Sequence, residues 1–174
     1  MRNAITVEAG ADVRRQQYRD IQQGLASMLE DEPDWVAAMT SVVCELHHGF
    51  DYYDWTGFYR HVEPEALAVG PYQGTHGCLR IDFDRGICGA CARTGEIQLV
   101  DDVHSRPDHI ACSASTQSEL VVPVTTRQGK LMAVLDVDSD RPAAFSRADA
   151  SGLEALCDWL GETYGSSGSS LDVD

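Results

Sequence analysis

The order of its periodic segments constrains this chain more than any other feature: two helical stripes, two strand runs, a long irregular stretch, two more strand runs and a closing helix. Residues 13–30 set Val13, Tyr18, Ile21, Leu25, Met28 and Leu29 roughly on one helical stripe. Pro33 opens a second helix, WVAAMTSVVCELHH, and Gly49 stands where helices favour a C-terminal stop. Residues 55–61 and 67–72 read as strands around the turn-forming VEPEA, and 120–126 and 131–137 as strands framing RQGK. Ser146 and Asp149 form a capping box for a last helix that runs to about Tyr164. A parallel doubly wound sheet would need regular strand–helix alternation, and that is missing. The order therefore predicts an α+β fold, an antiparallel sheet with the N- and C-terminal helices packed on it. The predicted domain covers residues 13–164, between an extension at 1–12 and a flexible polar tail at 165–174.

The stretch 73–119 is dense in Gly, Pro, Asp, His and Ser, with a short helix expected at 89–94 and a short strand at 97–100. So long an irregular segment inside a compact domain usually carries function. It also holds four of the six cysteines: Cys78, Cys88, Cys91 and Cys112. No run of about 18 apolar residues appears, and the N-terminus has no apolar stretch suited to a secretory signal, so a cytoplasmic location is expected. In a reducing compartment clustered cysteines point to redox chemistry or metal binding. Cys44 and Cys157, set among apolar neighbours in helical stretches, are expected to be inert core residues. A net charge of −15, with Lys130 the only lysine, repels a phosphate backbone and argues against a nucleic-acid partner.

A cysteine attacks as thiolate, and positive charge or a helix N-terminus lowers its pKa from about 8.5. Cys88 lies in GICGACARTG, at the expected start of a short helix and after Arg85, where the glycines would leave the loop free to move. Cys112 lies in PDHIACSAS, three residues after His109 and close to His104 and Arg106. A zinc knuckle could start from Cys88-x-x-Cys91, but no second knuckle of equal spacing exists, so no metal is expected. A thioredoxin-like CxxC would need a βαβ context, which is also missing. Asp136 and Asp138 in VLDVDS are two apart on a strand and so share a face. In one cleft they would repel, raising at least one pKa and offering a proton donor or a socket for an ammonium group; on a solvent-facing strand they would do neither. Glu119 begins the preceding strand and can join the same mouth. Trp55 and Tyr59 face one way on their strand, either into a pocket or into an ordinary core.

Taken together, WTGFY, GCLRIDFDRGICG, TGEIQLVDDVHSRPDHIAC, SELVVPV and LMAVLDVDS resemble the free methionine-R-sulfoxide reductases, which are built on a GAF domain. The most specific match is the spacing of Cys78, Cys88 and Cys112, ten and twenty-four residues apart. The resemblance implies a single GAF-like domain with Cys112 as nucleophile and Cys88 and Cys78 as resolving cysteines, Cys88 the first partner. It implies that Trp55 and Tyr59 line the substrate pocket, and that Glu119, Asp136 and Asp138 hold the polar groups of the substrate. It further implies free methionine-R-sulfoxide as substrate and a Cys sulfenic acid that closes to a disulfide. No bound cofactor is implied; thioredoxin would recycle the disulfide, with NADPH feeding it through thioredoxin reductase, and a homodimer is allowed. The chain departs from the family pattern at Asp108 and Ser113, where Gly and Asp are common, and carries Cys91 as an extra thiol. The alternative from another class is a GAF module that senses a small molecule without catalysis; a sensor is normally joined to an output domain, and none is expected here.

Overall fold

A computed structural model describes residues 3–106 and 114–165. Helices α1 (Ala11–Met28) and α2 (Trp35–Gly49) lead into strands β1 (Trp55–Glu63) and β2 (Ala66–Gln73). The expected irregular stretch holds β3 (Arg80–Asp82), α3 (Gly86–Thr94), β4 (Gln98–Val100) and a 3-10 turn at Val103–Ser105. Strands β5 (Ser118–Thr125) and β6 (Leu131–Ser139) and helix α4 (Arg147–Tyr164) complete it. The strands form a six-stranded sheet in the order β3-β2-β1-β6-β5-β4, with every neighbouring pair antiparallel.

The period of two along each strand sorts side chains between two unlike faces. Phe58, Leu120, Val122, Ala133, Leu135 and Val137 point to the side covered by α1, α2 and α4, in the larger apolar cluster. Trp55, Tyr59, Val121 and Val134 point to the other side, in a smaller cluster with Ile87, Cys88 and Cys91 of α3. The site residues read from the sequence lie on this second face, beneath α3.

One polar node ties the helices together beneath the first face. Asp149, fully buried, accepts hydrogen bonds from the backbone N–H of Ser146 at 2.7 Å, Tyr18 at 2.9 Å and Tyr52 at 2.8 Å, and pairs with Arg14. The capping box of α4 is therefore present, and the same carboxylate anchors α1. Arg14 also lies over the Tyr52 ring, 4.7 Å from its centroid, so its charge is both paired and packed.

Several expectations need correction. Val13 and Met28 are 52% and 59% exposed, because α1 turns Arg14 and Gln17 inward with Tyr18, Ile21 and Leu25. Helix α2 ends at Gly49 as expected, but without a left-handed turn there. Gly49 permits a close approach, since a Cβ there would sit 2.9 Å from Ile21 Cδ1. Cys44 is exposed rather than a core residue, whereas Cys157 is buried as expected. Strand β3 went unread because three residues carry too short a pattern for a period to register. Among the described residues no helix is long and apolar enough to cross a membrane.

Candidate active site

Sheet register assembles the site. Trp55 on β1 stands opposite Asp138 on β6, and Asp138 stands opposite Glu119 on β5, a row across three adjacent strands. One step along, Gly57 and Val121 flank Asp136; the next step brings Tyr59 opposite Val134. Residues spaced by two in sequence thus become neighbours on one surface. Of the sequence-predicted set, Trp55, Tyr59, Cys88, Glu119, Asp136 and Asp138 are brought to this face. Cys112, with His109, Asp108 and Ser113, lies outside the described residues.

Aromatic rings wall one side. Trp55 stacks on Tyr59 at 5.7 Å and on Tyr72 at 5.4 Å between centroids, at interplanar angles of 19° and 16°. Gly57 makes that stack possible, because a Cβ there would come within 2.5 Å of both Trp55 and Tyr72. Trp55 Nε1 donates to the Thr75 carbonyl at 3.0 Å, and the Cys78 backbone hydrogen bonds to the Tyr59 hydroxyl. The aromatic wall therefore holds the segment that carries Cys78. Burial, then the nearby Asp136, push the Tyr59 hydroxyl well above its ordinary pKa, so it stays a neutral donor. Tyr72 was missed from the sequence; the signal was the glycine on the neighbouring aromatic strand, whose absent side chain leaves room for a ring.

The carboxylates are poorly solvated. Asp136 is 5% exposed, and burial pushes its pKa up to about 7, outweighing the lowering from its hydrogen bond with the Cys88 thiol. Its Oδ1 has no hydrogen-bond partner among the described residues. Asp138 is also raised well above the ordinary carboxylate range, by burial and then by Asp136, Asp140 and Asp54. Burial and mutual repulsion therefore favour the protonated form of both carboxyls. Glu119 is buried and stands opposite Asp138.

The thiols divide. Cys78 is disulfide-bonded, whereas Cys88 and Cys91 are free and buried. Cys88 sits in the first turn of α3 with its Sγ 4.0 Å from Glu119 Oε1. The activation expected from Arg85 and the helix start does not prevail there. Burial, followed by Asp136 and Glu119, pushes the Cys88 thiol well above its usual value, and Cys91 rises to about 12 for the same reasons. Nor do the glycines loosen this segment: a Cβ on Gly89 would lie 2.5 Å from the Asp82 carbonyl, so Gly89 lets α3 pack against the chain before it. Ligand atoms of Cys88, Glu119 and Asp136 all lie within 4.8 Å of one another. The face thus offers a stacked aromatic wall, a proton-retaining carboxylate cluster and two classes of thiol.

Residues 16–163 match the GAF domain. The chain is 32% identical over 139 residues to the free methionine-R-sulfoxide reductase of Escherichia coli, covering 80% of this chain and 83% of that protein. It is 35% identical over 133 residues to the enzyme of the same name from Saccharomyces cerevisiae, covering 73% and 74%. Among solved structures it is similar to free methionine-R-sulfoxide reductase from Neisseria meningitidis in complex with its substrate, with TM-score 0.82 and 35% identity over 95% of this chain and 96% of that one.

Proposed function

The chain belongs to the GAF-domain family and, within it, to the free methionine-R-sulfoxide reductases, and on that footing we propose that it reduces free L-methionine-(R)-S-oxide with Cys112 as nucleophile. The observation that carries this reading is the buried carboxylate cluster beside the Trp55–Tyr59–Tyr72 stack, with Asp136 Oδ1 unpartnered among the described residues. A free amino acid brings an ammonium group, which a peptide-bound methionine sulfoxide lacks, and an ionised carboxylate of the cluster receives it. The apolar methyl and methylene groups next to sulfur suit the aromatic wall.

Reduction needs a proton on the departing oxygen. A carboxylate with a pKa of about 7 holds one at neutrality, and Asp136 is that group or shares it with Asp138. The Cys112 thiolate attacks the sulfur of the protonated sulfoxide; the oxygen then passes to the Cys112 sulfur as the transient sulfur–sulfur bond and the substrate's sulfur–oxygen bond break, so methionine leaves and Cys112 is left as sulfenic acid. A second thiol then condenses with it, releasing water and forming a disulfide. Two resolving cysteines were expected, Cys88 first and then Cys78. The order we adopt is the reverse: Cys78 is disulfide-bonded, while Cys88 is a free thiol that burial and two carboxylates keep protonated. An external dithiol restores the enzyme by exchange. Thioredoxin, fed by NADPH through thioredoxin reductase in a cytoplasmic setting, has the required chemistry.

The test is methionine release from free R- and S-methionine sulfoxide, and from a peptide containing methionine sulfoxide, with dithiothreitol and then with thioredoxin. Turnover of the free R form alone is expected. Equal rates on both diastereomers, or a preference for the peptide, would reject the reading, as would tight binding of the R form with no methionine produced.

A further inference from the structure

We propose that Cys88, Glu119 and Asp136 form a reversible binding site for one borderline-soft divalent cation of the Zn2+ type. Their ligand atoms lie within 4.8 Å of one another, and all three residues are buried. Each stands on a regular element: Cys88 in the first turn of α3, Glu119 on β5 and Asp136 on the central strand β6. A tetrahedral zinc with bonds of about 2.0–2.3 Å sets its ligand atoms about 3.5 Å apart. The triad therefore closes by about an ångström, a side-chain adjustment rather than a change of fold.

A second, independent observation points to a cationic ligand. Asp136, 95% buried by its 5% exposure, keeps Oδ1 without a partner among the described residues. An orphaned acceptor at that depth costs free energy until a donor or cation arrives. An ammonium group satisfies oxygen acceptors, but a sulfur in the same triangle adds little for it. Sulfur with two carboxylates is instead a donor set for zinc or cadmium and a poor one for magnesium or calcium. On binding, the Cys88 S–H bond breaks, its proton passes to solvent, and the sulfur pair forms the metal bond. Three protein ligands leave the fourth position open, so the ion exchanges rather than locking the fold.

This inference does not rest on the reductase reading. The two meet at one point: cation and substrate use the same carboxylates and exclude one another.

Cadmium is the probe. The full chain, with the Cys78 disulfide intact and stripped by chelator, is titrated with Cd2+ alone while thiolate-to-metal charge-transfer absorption is followed. One equivalent should saturate the band, with at least one proton released. Cys88→Ser should abolish it. Cys44→Ser should retain it, which separates the buried triad from the exposed Cys44–His48 pair on α2. Asp136→Asn and Glu119→Gln keep the thiol, and should weaken binding at least about tenfold, since even outer-shell partners change metal affinity on that scale. A band that persists in Cys88→Ser, disappears in Cys44→Ser, or keeps wild-type affinity in both carboxylate variants overturns the site. If Cys88→Ser fails to fold, the two carboxylate variants decide alone.

Discussion

At the scale of single residues the pocket separates groups that look equivalent in sequence. Cys78 and Cys88 are both cysteines of one irregular stretch, yet one is disulfide-bonded and the other is a free thiol among carboxylates. Cys78→Ser should therefore still release about one methionine per enzyme but recycle poorly with thioredoxin, while Cys88→Ser retains recycling. A mass map of the oxidised enzyme checks it, and a Cys88–Cys112 bridge would restore the order expected from the sequence. For the carboxylates, Glu119→Gln and Asp138→Asn should each lower the rate on free methionine sulfoxide by at least about tenfold, the scale of a lost acid–base or orienting group. Initial rates measured under saturating dithiothreitol provide the comparison, and wild-type values in both would return these residues to a structural role. The pairing of Asp136 with Asp138 was legible from their spacing alone. That Cys88 would be deactivated was not, because depth of burial comes from α3 folding over the sheet, and no local pattern encodes it.

Among the elements, strand β6 and the α1–α4 contact matter most. Leu135 and Val137 enter the core under α1, α2 and α4 while Asp136 and Asp138 lie on the opposite face, so a one-residue slip of β6 would drive two carboxylates into hydrocarbon. The site chemistry thereby pins the register that builds it. The strands β1, β2, β5 and β6 were readable because alternation or turn residues marked them, and α4 because its capping box did. Helix α1 was readable in extent and in its Tyr18, Ile21 and Leu25 stripe, but not in the polar residues that share its buried side. Arg14 and Gln17 point inward, and only tertiary partners make that tolerable: Asp149 and the Tyr52 ring for Arg14, the Gly49 carbonyl for Gln17. Asp149→Ala should strand the Arg14 charge and leave Tyr18 and Tyr52 without their acceptor. Breaking a buried pair in this way costs about 3–5 kcal/mol, to be read from urea denaturation midpoints. A loss no larger than that of an exposed pair such as Arg15–Asp12 would show the node to be dispensable.

For the whole molecule, the site leaves a signature in the pH dependence of stability. Burial pushes the Asp136 carboxyl up to about 7 in the fold, against about 3.9 in the unfolded chain. A raised carboxylate pKa stabilises the fold below the unfolded value, and that contribution is lost as pH rises through the folded one. The interval corresponds to at most about 4 kcal/mol, shared with the groups around it. Asp136→Asn should therefore gain stability relative to the wild-type chain between about pH 5 and about pH 8, by at least about 1 kcal/mol. Denaturant midpoints across that range measure the difference; parallel curves would mean that Asp136 is ionised throughout.

The stack around Trp55 has an optical consequence. Its indole lies between two tyrosine rings at the pocket wall, while Trp35 and Trp159 pack on the helix-covered side of the sheet. Of three tryptophans, one reports on the pocket and two supply a constant background. Emission from the native chain then becomes a built-in gauge of occupancy, able to time the arrival of a ligand in a stopped-flow trace without any label.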